Sequence, residues 1–455
     1  MEREKLSSRL GFILLSAGCA IGIGNVWRFP YVAGNSGGGL FVLLYLFFLA
    51  SMGIPVMTME FAVGRASQKS AVRSFQVLEK KGQKWHLHGI LAMAGNYLLM
   101  MFYTTVAGWM LHYFYLELTG HFEGMPAEQV SESFGNMLQQ PGTMMFWMIL
   151  VVVLGFGICS RGLQGGVERI TKYMMIALLA IMVILAVRSI TLPGAKEGLA
   201  FYLLPDLKQI ETVGIGNVAV AAMNQAFFTL SIGIGSMAIF GSYIGKDRSL
   251  LGESINVAVL DTFVAITAGL IIFPACFAYD VNPGSGPGLI FMTLPNIFIS
   301  MPGGRLWGSL FFLFMSFAAF STIIAVFENI MSSCMDIWGW SRKKTALINI
   351  FVVGIASVPC VLGFNLLSGI QPLRAGNTIQ DLEDFLVSNI LLPGGSLIYL
   401  LFCTSRWGWG WKNFITEANT GKGPKLPNCL RIYASYILPV LLLVILIYGI
   451  VTYFA

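Results

Sequence analysis

G-C-A-I-G-I-G-N-V-W-R-F-P, residues 18–30, decides how this chain folds. It interrupts an apolar segment of membrane length that begins at Leu10. Gly18, Gly22 and Gly24 each weaken a helix interior by about 1 kcal/mol relative to alanine, and Pro30 disfavours α geometry at Phe29. A helix broken inside a membrane leaves N–H and C=O groups unpaired, which hydrocarbon does not tolerate. They must face protein, water or a bound solute. Close packing on a neighbouring helix would explain the glycines alone. A second copy argues for more: S-I-G-I-G-S at 231–236 echoes A-I-G-I-G-N at 20–25, again inside an apolar segment. Two interrupted helices at corresponding places in two halves point to a transporter site near the bilayer midplane.

The surrounding chain is built for a bilayer. Of 455 residues, 56% are hydrophobic, 13% aromatic and only 11% charged. That excludes an ordinary water-soluble globule and predicts an all-α polytopic membrane protein. The net charge of +6 does not indicate nucleic acid, because the basic residues sit in short loops between apolar runs. Lipid topology accounts for them. The cysteines, 19, 159, 276, 334, 360, 403 and 429, form no C-x-x-C pair, so neither a disulfide scaffold nor a zinc site is indicated. The charged start, M-E-R-E-K-L-S-S-R, is followed by no small-residue cleavage pattern and is expected in the mature chain.

Eleven membrane helices are predicted, at about 10–34, 39–65, 87–118, 142–159, 166–189, 214–244, 252–279, 304–335, 346–366, 384–404 and 432–454. Basic residues follow helix 2 (Arg65, Lys69, Arg73, Lys80, Lys81, Lys84) and helices 4, 6, 8 and 10, whereas the loop after helix 3 carries Glu123, Glu128 and Glu132. The N-terminus is therefore expected in the cytoplasm and the C-terminus outside. Helices 1–5 (10–189) and 6–10 (214–404) form two blocks within one 1–455 transporter domain. Because five is odd, the second block enters the membrane in the opposite sense, an inverted 5+5 repeat with helices 1 and 6 as the broken pair. Helix 11 (432–454) lies outside the symmetry and is expected to be peripheral. The Pro/Gly-punctuated segment 280–303 reads as an ordered loop that caps the outer vestibule.

Ionisable groups at the bilayer centre cost about 2.5–3.5 kcal/mol on insertion scales, so each needs a reason. Asp261 lies too deep in helix 7 to reach water. Glu60, near the end of helix 2, is either an interfacial carboxylate or an acceptor for N–H groups freed at a helix break. Glu328 in helix 8 receives no role. Asn25, Thr229, Ser231, Ser321 and Thr322 fall on helices 1, 6 and 8, beside the breaks. A lone Ser or Thr more often bonds back to its own helix, but together with freed carbonyls these oxygens suit a hard monovalent cation. Tyr103 and Phe228 sit at mid-span on helices that must face the breaks.

At this point G-C-A-I-G-I-G-N-V-W-R-F-P-Y with N-S-G-G-G at 35–39, G-I-P-V-M-T-M-E-F-A-V-G-R at 53–65 and Q-A-F-F-T-L-S-I-G-I-G at 225–235 resemble the neurotransmitter:sodium symporter family. The bacterial sodium-coupled amino-acid transporters of the eleven-helix type are the nearest match, and the resemblance covers essentially the whole chain. It implies two Na⁺ ions. One would take the carbonyl of Ala20, the side chains of Asn25, Thr229 and Asp261, and the substrate carboxylate. The other would take carbonyls of Gly18, Ile21 and Ala318 and the hydroxyls of Ser321 and Thr322. The substrate would lie against Cys19, Ala20, Gly22, Ile23 and Gly24, under Tyr103 and Phe228 and beside Thr229 and Thr322. Leu99, Ser231, Ile234 and Val326 would shape its side-chain pocket. Arg28 would belong to the outer gate, and Arg3 with Asp336 and Tyr243 to the inner one.

The resemblance further implies sodium-coupled import of a hydrophobic or aromatic L-amino acid by alternating access across a bacterial inner membrane. Gly22 stands where monoamine-transporting relatives carry an aspartate. Chloride independence is expected because Asp261 places a fixed carboxylate at the first ion, while Ala265 offers no hydroxyl to a halide. Three positions depart from the family pattern. Leu6 replaces an inner-gate tryptophan, and Ile176 replaces a proline ten residues after Gly166. The acid opposite Arg28 is not evident, with Ser388 or Asn389 in that region. Rival classes are a ligand-gated channel or amino-acid sensor on the same fold, and an intramembrane enzyme. His86, His88, His112 and His121 form no H-E-x-x-H, so no enzyme is expected. The partners are the amino acid, sodium and the lipid bilayer, and the oligomeric state stays open.

Overall fold

The chain is described by a computed structural model covering residues 4–205, 213–281 and 288–454. Nine continuous helices among these residues are long and apolar enough to cross a membrane, and Arg9–Ala20 with Gly24–Asn35, bent by 56° at the glycines, makes a tenth. That bent pair is helix 1. Helices 2–5 are Gly39–Ser67, His86–Thr119, Pro141–Cys159 and Leu163–Ile190. Helix 6 is again a pair, Ile215–Thr229 and Ser236–Gly241, each half too short to span alone. Helices 7–11 are Leu250–Ala278, Gly304–Trp338, Arg342–Leu362, Ile379–Thr404 and Leu430–Phe454. With the helix 6 pair counted as one broken span, the described residues hold eleven, and both expected breaks are present.

Burial ranks the helices. Along its most apolar stretch helix 8 is 83% buried and helix 11 only 28%. Helix 8 packs along helix 3 and against the first half of helix 1 and is the axis of the fold, while helix 11 is held mainly by helix 10. The core is continuous through all of these elements.

Boundaries differ from the sequence reading where capping decides them. Helix 9 starts at Arg342, not 346, because the Ser341 side chain accepts from Lys344 N, and its regular path ends at Leu362 rather than 366. Helix 10 starts at Ile379, not 384, behind a capping box of Thr378 and Asp381. The 280–303 segment contains helix, Leu289–Ser300, and residues 282–287 of it lie outside the described residues. Arg65 does not belong to a solvated basic loop. It ends helix 2 fully buried, with Nε 2.7 Å from Glu417 Oε1 and Nη1 donating to the Arg248 carbonyl at 2.8 Å.

Candidate functional site

The two glycine motifs break their helices for different local reasons. In helix 6, Gly233 and Gly235 adopt φ of 106° and 80°, and Ser231 is drawn into the left-handed region at 51°. Glycine alone reaches such backbone cheaply. In helix 1, Ile21 is extended (φ −72°, ψ 94°), and the glycines serve close approach instead. A Cβ on Gly22 would collide with the Tyr103 hydroxyl and with Thr322, and one on Gly24 would stand 2.7 Å from the Phe228 ring.

Freed backbone groups find partners on neighbouring helices, as a low-dielectric interior requires. Tyr103 accepts from Ile23 N at 2.9 Å, Gln225 donates to the Gly24 carbonyl at 3.0 Å, and Ser231 donates to the Cys19 carbonyl at 3.2 Å. Glu60 is fully buried and accepts from Gly233 N at 3.0 Å and Met237 N at 3.2 Å. Of its two readings, the acceptor at a helix break is the one the geometry supports.

Oxygen atoms converge in two clusters around the break in helix 1. In the first, Asp261 Oδ2 accepts from Thr229 at 2.9 Å and Oδ1 from Asn25 Nδ2 at 2.7 Å. Tyr45, which the sequence reading missed, points its hydroxyl at Oδ2 from 3.5 Å. Nothing in the spacing of Tyr45 singled it out among 15 tyrosines. Ala20 is buried, 3% exposed. In the second, Ser321 donates to the carbonyls of Ile21 (3.0 Å) and Ala318 (2.9 Å). Thr322 lies 3.3 Å from the Gly18 and Cys19 carbonyls and 3.4 Å from that of Ile21. The carboxylate, hydroxyl and carbonyl oxygens gathered here are of the kind a hard cation takes.

Of the remaining candidates, Tyr103 and Phe228 reach the helix 1 break. Leu99, Tyr103, Ile234 and Val326 are buried, and Phe228 is partly so. The Ile234 carbonyl accepts from Asn96 at 2.8 Å and faces Asn329 at 3.5 Å, two further residues that sequence reasoning did not single out. The Arg28 guanidinium stacks on Phe228, 4.0 Å from the ring centroid. The charge that reaches Arg28 from helix 10 is Asp384, which accepts from the Ser388 hydroxyl at 2.6 Å. The sequence reading saw only Ser388 or Asn389 in this region and did not single out Asp384, one turn before Ser388.

The expected inner-gate residues divide. Arg3 lies outside the described residues. Asp336 accepts from Ser70 N at 2.8 Å. Tyr243 donates to Glu328 Oε1 at 2.7 Å, and Glu328, for which the sequence suggested no role, pairs with Arg342 at 2.6 Å. A second fastening was not foreseen. Both oxygens of Glu168, at the start of helix 5, accept from the N-terminal segment: Ser7 N (2.8 Å), Ser7 Oγ (2.7 Å), Ser8 N (3.2 Å) and Ser8 Oγ (3.1 Å). Leu6, in place of the gate tryptophan, is half-buried against Tyr243.

The chain resembles known proteins over its whole length. A model of the Sodium:neurotransmitter symporter family matches residues 3–132 and 127–455. An uncharacterized sodium-dependent transporter of Bacillus subtilis (strain 168) is 33% identical over 87% of this chain and 86% of its own length. Another from Haemophilus influenzae is 30% identical over 98% of both. The crystal structure of MhsT in complex with L-phenylalanine superposes with a TM-score of 0.88 at 38% identity, covering 98% of this chain and all of that one.

Proposed function

The chain belongs to the Sodium:neurotransmitter symporter family, and we propose that it imports a hydrophobic or aromatic L-amino acid driven by two sodium ions. The family consists of membrane transporters, so the chain is a sodium-dependent transporter and not an enzyme. The observation that carries the finer reading is the pair of oxygen clusters on either side of the helix 1 break, one on Asp261 and one on Ser321 and Thr322. Ions there would lie between the two repeats, 10–189 and 214–404, which alternating access moves against each other.

The walls support the substrate class. Gly22 supplies no carboxylate to hold an isolated amine, and the space a side chain would need is taken by Tyr103 and Thr322. The substrate must then bring its own carboxylate to the first ion, while its amine meets carbonyls of the break. Leu99, Ile234 and Val326 offer its side chain no charge. The similarity to MhsT, solved with L-phenylalanine, agrees with an aromatic or aliphatic ligand. Asp261 supplies the second negative charge against two sodium ions in a low-dielectric site, where an imbalance is costly. Chloride is then unnecessary. The basic loops argue for a cytoplasmic N-terminus and a bacterial inner membrane.

Uptake of L-phenylalanine, L-leucine, L-tyrosine and L-tryptophan into proteoliposomes tests the proposal. An inward sodium gradient should accumulate at least one of them above equilibrium, with potassium inactive and gluconate replacing chloride without loss. Passive flux would favour a channel, and binding without flux a sensor. A strict chloride requirement would overturn the role given to Asp261.

A further inference from the structure

Between helices 3 and 10 a cavity of about 160 Å³ reaches the break in helix 6, where Gly233 and Ile234 form its floor. Its walls are apolar, among them Leu91, Leu391 and Ile398, with one exception: His88 is the polar side chain in the lining. His88 is 6% exposed, and neither of its ring nitrogens has a hydrogen-bond partner among the described residues. The ring is held edge-on by Phe75 at 5.2 Å and Tyr399 at 5.3 Å. The Gly233 carbonyl is near enough to influence it but does not meet it in hydrogen-bond geometry. An imidazole set between two aromatic rings, one nitrogen a donor and the other an acceptor, thus makes no hydrogen bond of good geometry among the described residues, the Gly233 carbonyl being its nearest acceptor.

The surface beside the cavity is apolar. Leu87, Ile90 and Leu91, on the adjoining surface of helix 3, are 49%, 59% and 52% exposed, a surface suited to hydrocarbon and poor in water. We propose that this cavity is a binding site for a membrane-dissolved amphiphile carrying a neutral hydroxyl group, which His88 recognises. A hydroxyl both donates and accepts, as the imidazole does. A charged headgroup is disfavoured because no counter-charge lines the cavity, and Glu60, across the helix 6 break, already holds the N–H groups of Gly233 and Met237.

An occupant would press on the backbone of Gly233 and Ile234. There helix 10 already touches helix 6 backbone to backbone: a Cβ on Gly395 would overlap the Gly233 carbonyl. Resting on the transport reading, which places Ile234 in the substrate pocket, this makes the cavity a point from which a lipid-borne alcohol restrains the helix 6 break. Gly394 allows a clean test, since a Cβ there meets nothing within 4 Å. Gly394→Leu fills the cavity and leaves the Gly395–Gly233 contact in place.

The experiment is a titration of ¹⁵N-histidine-labelled protein in nanodiscs with 1-octanol, against n-octane as control, read by imidazole NMR. One ring's signals, assigned by their loss in His88→Phe, should shift saturably with 1-octanol and not with n-octane. In Gly394→Leu the same signals should persist without the saturable shift. No saturable shift, an equal response to n-octane, or an unaltered titration in Gly394→Leu would each overturn the site. Because this readout is binding, it stands apart from amino-acid transport. Saturating 1-octanol should also change sodium-driven L-phenylalanine uptake in the wild type and not in Gly394→Leu. Equal responses would overturn the regulatory consequence alone.

Discussion

Asn25 and Asp261, 236 positions apart, are joined twice: Asn25 Nδ2 donates to Asp261 Oδ1 at 2.7 Å and to the Asp261 backbone carbonyl at 3.2 Å. The break in helix 1 is thereby tied to the middle of helix 7, and Thr229 brings helix 6 to the same carboxylate. Asp261→Asn keeps the shape and removes the charge. Sodium-driven uptake should fall to a few per cent or less of wild type, with no recovery in high chloride, because Ala265 offers a halide no donor. Recovery by chloride would show that an anion site exists beside Asp261.

Ser321 contributes one oxygen to the second cluster, 3.0 Å from the Ile21 carbonyl. Ser321→Ala removes it with little change in volume. At about 1.4 kcal/mol for one such interaction, the sodium concentration at half-maximal uptake should rise roughly tenfold, with maximal rate largely kept at saturating sodium. An unchanged sodium dependence would remove Ser321 from the ion site.

Gly24→Ala sets a methyl 2.7 and 2.9 Å from two atoms of the Phe228 ring. The ring cannot retreat freely, because Arg28 stacks on it at 4.0 Å. Substrate binding should weaken by about tenfold or more, the scale of a 1–3 kcal/mol overpacking cost. Phe228→Leu added to Gly24→Ala should restore part of it. Equal loss in the single and double variants would locate the fault elsewhere.

The N-terminal segment is fastened to helix 5 through Glu168, which accepts four hydrogen bonds from Ser7 and Ser8. Glu168→Ala should release it and populate inward-open states. Cys429 is the exposed cysteine among the described residues. In a Cys429→Ser background, Leu6→Cys should then react several-fold faster with an impermeant maleimide from the cytoplasmic side. Asp336→Ala, which removes the acceptor for Ser70 N, should act in the same direction. Unchanged labelling in both would show that neither contact holds the gate.

Arg65 and Glu417 form a buried pair at 2.7 Å between the end of helix 2 and the segment after helix 10. Breaking such a pair costs about 3–5 kcal/mol, because the remaining charge stays buried. Glu417→Gln should lower the thermal midpoint by several degrees without altering sodium affinity in the surviving fraction. A shift in sodium affinity would mean that the pair also sets the conformation of helix 2.

Most of the architecture could be read from residues whose meaning is local. Apolar length specifies a span, and glycines inside a span specify a break, so eleven helices and the breaks at 20–25 and 231–236 were legible without coordinates. The oxygen-bearing side chains near those breaks, Asn25, Thr229, Asp261, Ser321 and Thr322, were legible because a polar group in hydrocarbon must be explained. Helix ends were less so. Hydropathy does not record a capping box, and helix 10 begins at Ile379 because Thr378 and Asp381 satisfy its first N–H groups.

The sequence by itself determined that this chain spans a membrane many times, breaks twice at mid-depth, and keeps a carboxylate and several hydroxyls there. Only the tertiary structure decided which of them meet. Asp384 is the helix 10 charge that acts on Arg28, Tyr45 joins Asp261, and Glu60 takes the amides of the helix 6 break. Glu328 pairs with Arg342, and Glu168 clasps the N-terminal segment. The reason is physical. Insertion cost and helix breaking are properties of one segment in one solvent, whereas the partner of a buried charge is chosen by how helices distant in sequence pack, and no short stretch of residues carries that information.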